Sequence, residues 1–383
     1  MSSPIVVVAG ALANKPLNGG EAWVRMSWVR GLQRLGCEVW FLEEIDEATC
    51  VDADGVPTLF AQSLNRNWFT SVTTDFALEK TSSLLCGRGG IAVAEAHDVL
   101  AGADLVVNIS GNLQSRDLRD QCRRSAYIDL DPGFTQIWHE QGNLGARLDG
   151  HDHYFTVGTN VGSDRCELPT GGIDWRPMLP PVVLEAWPES TESKSGHFTT
   201  VATWRGPFGP VEWERQCFGL KVHEFRKFLS LPEIVDAHFE LALSIHAADG
   251  ADLERLEAQG WSVVDPRLVA GTPDEFRDYV AGSMAEFSVA QGIYVASRSG
   301  WFSDRTTRYL ASGRPALVQD TGVGHLLPTG EGLLTFSTID EAKAGAESIV
   351  SDYRAHSLAA RSLAEEFFDS DAVLRPFLET CLP

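Results

Sequence analysis

The sequence predicts an α/β protein built as two Rossmann-like domains that face each other across a cleft. Three observations carry this. First, the β-branched run Ile5-Val6-Val7-Val8-Ala9-Gly10 is followed by a loop, a helical pattern and a second apolar run at 37–42, which is a βαβ unit. Second, after the polar stretch PESTESKSG at 188–196 the strand–helix alternation starts afresh at His197. Third, residues 285–324 read as strand, polar loop, short helix, Gly-x-Pro turn and strand.

Composition bounds what such a chain does. At 383 residues, two domains is the natural count. With 53 acidic against 31 basic residues the formal charge is −22, which argues against a nucleic-acid partner or an anionic membrane surface, since both require basic faces. The cysteines Cys37, Cys50, Cys86, Cys122, Cys166, Cys217 and Cys381 are scattered, odd in number and free of C-x-x-C spacing. They fit reduced thiols in a cytoplasmic protein. No charged leader or long apolar span is seen, so neither export nor membrane insertion is expected.

In the first half, the loop 14–20 ends in Gly19-Gly20 and opens a helix over 21–35, with Trp23, Met26, Val29 and Leu32 at near-helical spacing and Gly36 past its end. Further strands are expected at 104–110, 126–130 and 154–157. Each ends in polar residues, and in an open parallel sheet the ligand site lies beyond the carboxyl ends. Asn112, Asp129, Asp131 and Asn160 are therefore candidates, with Asp131 at the end of its strand before the turn-forming Pro132-Gly133. An Asp in that place also suits plain capping of the turn.

In the second half, strands are expected at 197–203, 239–244, 261–264, 287–290 and 316–318, and helices at 223–229, 252–259, 274–282, 305–312, 338–353 and 357–368. The first strand exits into Thr203-Trp204-Arg205, and Lys221 follows a long loop. At the third motif, Ser303 or Asp304 caps a helix that begins near Arg305-Thr306. Free N–H groups, the helix dipole and Arg305 and Arg308 together make an anion site, with phosphate the natural ligand.

These residues resemble the GT-B glycosyltransferases. Gly19-Gly20 matches the glycine pair of that family's first turn, and Ser312-Gly313-Arg314-Pro315 its Gly-x-Pro turn. The wording S-G-W-F-S-D-R…Y-L-A-S-G-R-P is similar to a bacterial subgroup. The resemblance implies an acceptor domain at 1–187, a linker at 188–196, a donor domain at 197–368 and a segment 369–383 that crosses back. It implies a nucleoside-diphosphate sugar as donor, bound by Gly19, Gly20, Arg205, Lys221, Ser303, Asp304, Arg305 and Thr306. Arg205 and Lys221 would clamp the diphosphate. The acceptor, a small molecule, natural product or glycan, would lie near Asn112, Asp129 and Asn160. The chain departs from many retaining members at the two positions where those carry glutamates, which here hold Gly300 and Arg308.

Fixed cations stabilise a departing diphosphate without a metal, so no cofactor and no metal are expected. Asp129-Leu130-Asp131 also reads as the D-x-D of the other glycosyltransferase fold, and carboxylates suit a hard ion, but the pattern is short. The preferred reading gives Asp131 a catalytic or substrate-side role, with Glu21 next in line. His151 and His153 lack a third ligand, and His139, His223, His246 and His325 have no partner. No Ser-His-Asp order, P-loop or strand-linked G-x-G-x-x-G is present. Two alternatives share the donor site: a nucleotide-sugar 2-epimerase and a non-catalytic protein that binds a nucleotide or phosphosugar.

Overall fold

The computed structural model describes residues 3–87, 89–143, 145, 147–189 and 196–382. The stretch 188–196 falls largely outside them. Two separate parallel-rich sheets form the frame. The first contains β1 (Ile5–Ala9), β2 (Glu38–Ile45), β3 (Ser82–Cys86), β4 (Gly89–Ile91), β5 (Leu105–Ile109), β6 (Ser125–Asp129), β7 (His153–Thr156) and β8 (Trp175–Pro177). Its order is β4-β3-β2-β1-β5-β6-β7-β8, parallel throughout except for β4. The strands β1 and β5 are apolar along nearly their whole length and buried on both faces, as a parallel sheet covered by helices demands.

The second half contains β9 (His197–Thr203), the small hairpin β10 (Val211–Trp213) and β11 (Gln216–Phe218), then β12 (His238–Ser244), β13 (Trp261–Val264), β14 (Ala285–Ser288), β15 (Ala316–Gln319) and β16 (Leu333–Phe336). The six-stranded order is β13-β12-β9-β14-β15-β16, again parallel. Two sheets of this kind make an α/β protein of two Rossmann-like units. Winding reverses between β1 and β5 in the first sheet and between β9 and β14 in the second. Loops diverge at such a switch point and leave a crevice at the carboxyl ends.

The two crevices face each other because the halves are packed directly together. The helix Gly19–Arg34 sets its first turn against the loop leading to the helix Pro273–Gly282. Gly19 N–H donates to Ala270 O at 3.1 Å, and the Trp23 indole donates to Pro273 O at 2.8 Å. A Cβ on Gly19 would stand 2.0 Å from Thr272 O, so glycine is required by the close approach of two backbones. A second seam joins the turn after β7 to the loop before the helix Asp304–Ala311, where Gly158 bridges Trp301 and Asn160 N–H donates to Ser299 O at 3.0 Å. The last helix, Ser370–Cys381, lies on Gly19–Arg34, with Trp28 and Phe377 edge to face at 5.2 Å.

Several elements differ from the sequence expectation. The helix expected at 223–229 begins at Lys221 and tightens into a 3-10 turn at Arg226–Phe228. The strand expected at 287–290 occupies Ala285–Ser288, because Ala290 N–H is taken by the Gln319 side chain and the chain turns there. The single helix expected at 357–368 is Tyr353–Leu363 followed by a π-turn at Ala364–Phe368. Among the described residues no helix is long and apolar enough to cross a membrane.

Candidate functional site

One cleft of about 660 Å³ opens where the two switch points meet, and both halves line it. The second half contributes Thr203 at the end of β9, Lys221 at the head of the helix Lys221–Phe225, and Ser303, Asp304 and Arg305 at the head of Asp304–Ala311. Ser303 caps that helix, its hydroxyl accepting from Arg305 N–H at 3.3 Å. The Arg305 guanidinium is fixed by three bonds. Nε donates to Glu286 Oε1 at 2.6 Å, Nη1 to Val201 O at 2.9 Å and Nη2 to Ser288 Oγ at 2.7 Å. Lys221 has no hydrogen-bond or ion-pair partner among the described residues. Burial first, then the neighbouring Arg305 charge, pushes its ammonium down to about 7.

The first half supplies the opposite wall from the exits of β1, β5 and β6. Asn112 and Asp131 both line it. Asp131 Oδ1 accepts from the Tyr294 hydroxyl at 2.9 Å, a bond from the second half. Burial and the charge of Asp129 push the Asp131 carboxyl up to about 7. Asp129 itself is fully buried and does not reach the cleft. Its oxygens accept from Thr135 Oγ1 at 2.7 Å, Thr156 Oγ1 at 2.7 Å, Gln136 Nε2 at 2.8 Å and Asp131 N–H at 3.0 Å. Four donors leave it no free acceptor for a substrate, so Asp129 orders the turn that carries Asp131.

Other expected site residues are placed elsewhere. Arg205 is 57% exposed, paired bidentately with Asp249 at 2.5 and 2.8 Å, and does not line the cleft. Gly20 lines the cleft, whereas Gly19 is consumed by the approach to Thr272. Asn160 is buried in the domain seam, donating to Arg298 O at 2.9 Å and Gly322 O at 3.2 Å. Thr306 is buried in the first turn of its helix and does not line the cleft. Arg308 is also turned away: it pairs with Asp304 at 2.8 Å and reaches Ser27 Oγ at 3.4 Å across the domain contact. A position where many retaining members of the resembled family carry a glutamate therefore joins the halves here.

Sequence reasoning missed four cations on the lining: Lys15, Arg25, Arg147 and Arg267. Only Lys15 carried a signal, since it sits in the loop after β1 beside the glycine pair. Arg25 pairs with Glu21; burial alone would raise the Glu21 carboxyl, but Arg25 and Lys15 outweigh it and hold the group below its ordinary range. With Lys221 and Arg305 the lining has six cations against the carboxylates Glu21, Asp131 and Asp304, although Arg267 is exposed and paired with Asp265 at 2.7 Å and Arg305 with Glu286 behind the wall. In a chain of formal charge −22 a lining with more cations than carboxylates stands out, and it suits an anionic ligand. No cluster of His, Cys, Asp or Glu able to hold a metal occurs among the described residues.

Two facing Rossmann-like units with a cleft between their switch points are the GT-B fold. Solved structures with that likeness run the full length of the chain. It is similar to an alpha-glucosyltransferase in complex with UDP, at 12% identity, all of both chains covered and a TM-score of 0.59. It is similar to Anabaena HepE in complex with UDP-glucose, at 10% identity, 98% of each chain covered and a TM-score of 0.58. Sucrose-phosphate synthase from Thermosynechococcus elongatus matches at 13% identity over 99% of this chain and 98% of that one, with a TM-score of 0.54. No protein-family model and no curated protein matches the sequence.

Proposed function

We propose that the protein is a glycosyltransferase that moves a sugar from a nucleoside-diphosphate sugar to a small-molecule or glycan acceptor. The observation that carries this reading is the cationic cleft at the junction of two switch points in an otherwise acidic chain. Similar structures that hold UDP or UDP-glucose support the donor class. Residues 197–368 act as the donor domain and 1–187 as the acceptor domain.

The chemistry follows from the placement of charge. Departure of the sugar leaves negative charge on the diphosphate. Arg305, locked by β9 and β14, together with Lys221 and the N–H groups at the head of Asp304–Ala311, stabilises that charge without reorganising. These cations fill the role of a divalent metal, so transfer proceeds without one. Asp131 faces the donor from the acceptor wall and takes the acceptor proton as the glycosidic bond forms. One similar structure is an alpha-glucosyltransferase with a DNA containing an HMU base. The charge of −22 on this chain favours an acceptor that is not a nucleic acid.

The test is incubation with UDP-, GDP-, ADP- and dTDP-sugars and a mixed acceptor pool, read by mass spectrometry. Release of one free nucleoside diphosphate with a product heavier by one glycosyl unit supports the reading. Absence of both for every donor refutes it.

A further inference from the structure

The wall around Asp131 is aromatic, and the transfer chemistry described above does not use its rings. The helix Phe134–Glu140 follows directly from Asp131, with Thr135 N–H donating to Asp131 O at 3.2 Å. Thr135 and Trp138 are three residues apart, so they share a helix face, and both line the cleft. Trp138 thus stands about 5 Å along the wall from Thr135. Phe208 reaches the same place from the loop after β9 in the other half. Its ring lies 4.8 Å from Trp138, edge to face, and 4.9 Å from Phe134. Trp301 also lines the cleft beside Asp131. Its indole donates to Leu130 O at 3.3 Å, and its ring stacks on Tyr294, which holds Asp131.

These rings are held in place before any ligand arrives. The hairpin of β10 and β11 follows the Phe208 loop and anchors it on the helix Phe134–Glu140. Val211 and Phe218 pack there with Phe134 and Ile137, and Gln141 Nε2 donates to Glu212 O at 2.8 Å. Phe208 and Trp138 are only half-buried, so part of each ring stays open. The polar groups of the wall are largely spent inside the protein. Thr135 Oγ1 donates to Asp129 at 2.7 Å, Asn112 Nδ2 to Ile109 O at 2.7 Å and Arg147 Nη1 to Gly111 O at 3.4 Å. A sugar lying here would bury several hydroxyls with few partners, and each unmet hydroxyl is costly. A flat aromatic molecule instead buries apolar faces against Trp138, Phe208 and Trp301 and asks for one polar partner, which Asp131 supplies.

We propose that the acceptor subsite takes a small aromatic molecule whose phenolic hydroxyl points at Asp131, with Trp138 and Phe208 as the residues that set this specificity. The inference rests on the transferase reading above and narrows its acceptor from small molecules and glycans to phenols. The phenolic oxygen forms a bond to the anomeric carbon of the donor sugar. The bond from that carbon to the diphosphate breaks, and its electron pair leaves with the diphosphate. The phenolic proton passes to Asp131. A phenol ionises at a pKa of about 10, far more readily than an aliphatic alcohol, so a carboxylate is a sufficient base for it.

The test uses naphthol and umbelliferone as phenols, and methyl glucoside, maltose and cellobiose as sugars. Calorimetry on the full chain without donor reads binding. Mass spectrometry with UDP-, GDP-, ADP- and dTDP-sugars reads transfer. Wild type is expected to bind and glycosylate the phenols and to leave the sugars unmodified. Trp138→Leu keeps the apolar bulk and removes the flat face; it should raise the phenol Kd and the acceptor KM about three- to tenfold, and Phe208→Leu should do the same. Trp138→Phe should recover most of that loss, and in all three variants the nucleoside-diphosphate Kd should stay as in wild type. A merely structural Trp138 would shift the melting temperature or the nucleotide affinity and leave Trp138→Phe no better than Trp138→Leu; that result removes its role. Transfer to the sugars and not to the phenols, or a phenol KM unmoved in every variant, overturns the aromatic subsite while the transferase reading stands. If no donor releases a diphosphate, the transferase reading fails and the acceptor role falls with it, and the calorimetry shows separately whether the aromatic wall binds phenols.

Discussion

Tyr294 donates its phenolic hydroxyl to Asp131 Oδ1 at 2.9 Å, so the side chain we assign as the base is held by a residue from the opposite half of the molecule. The Tyr294 ring is itself fixed by stacking on Trp301 at 4.4 Å. Burial and Asp129 raise the Asp131 carboxyl, and the tyrosine bond pulls it back, for a result of about 7. Asp131→Asn should therefore lower the transfer rate about 10²–10⁴-fold while nucleotide binding persists. The wild-type rate should rise with pH through about 7 as the carboxylate forms. Tyr294→Phe should move that limb to higher pH, because the bond it removes favours the charged form. A pH–rate series on the three proteins checks all of this, and a wild-type rate in Asp131→Asn would transfer the base role to Glu21.

The same group makes stability depend on pH. Its folded value of about 7 lies above the ordinary aspartate value of about 4, so between these the folded state binds the extra proton. The Asp131 contribution is thus fully present below pH 4 and is lost as pH rises through 7. Asp131→Asn should melt higher than wild type at pH 8, by about 1–3 kcal/mol, and the gap should close by pH 4. Denaturant melts at both values measure this; equal midpoints at pH 8 would contradict it.

Arg205 and Lys221 should behave differently. Arg205 is exposed and committed to Asp249, whereas Lys221 lines the cleft without a partner among the described residues. Replacing Lys221 with Gln should weaken nucleoside-diphosphate binding by about 1.5–3 kcal/mol, the scale of a charged hydrogen bond. Replacing Arg205 with Ala should change it less than about twofold, as expected of an exposed ion pair. Calorimetric Kd values for both variants settle the assignment, and equal losses would restore Arg205 to the clamp.

The division between what the sequence revealed and what it concealed has physical causes. Continuous apolar strands and their glycine-marked turns were readable, which made the two-sheet architecture and the helix start at Ser303-Asp304-Arg305 accessible. The strand β3, SSLLC, was hidden because a short, half-polar run lacks a clear period, although it is fully buried. Site residues fared less well because a strand end predicts where a side chain starts and not where it points. Asp129 and Asp131 are two residues apart, yet one is saturated by four donors inside the domain and the other meets the cleft. Asn160 was expected on the acceptor side and Gly19 at the donor, and both instead sit at the contact that joins the two halves. Arg25, Arg147 and Arg267 reach the cleft from three distant segments, and nothing local marks them.

Gly19 provides a direct test of that junction. A methyl group there would meet the Thr272 carbonyl at 2.0 Å, and backbone does not yield as a side chain would. Gly19→Ala should destabilise the protein by about 1–3 kcal/mol or open the cleft. Thermal melting reports the first and small-angle scattering the second; an unchanged melting temperature with unchanged dimensions would show that the halves are not held at this contact.

Transfer should survive chelation. With Arg305 and Lys221 neutralising the leaving diphosphate, activity in EDTA should stay within about twofold of the untreated enzyme. Full loss in EDTA with recovery in Mn²⁺ would instead point to a metal held by Asp131 and the donor phosphates.

A crystal structure with a nucleoside diphosphate bound places the ligand against named atoms. The expected complex has the diphosphate at the head of Asp304–Ala311, its oxygens about 2.7–3.2 Å from Lys221 Nζ and the first N–H groups of that helix, with the Arg305 guanidinium beside them. Phosphates bound away from Lys221 and Arg305, at Arg205 or on the acceptor wall alone, would contradict the donor site.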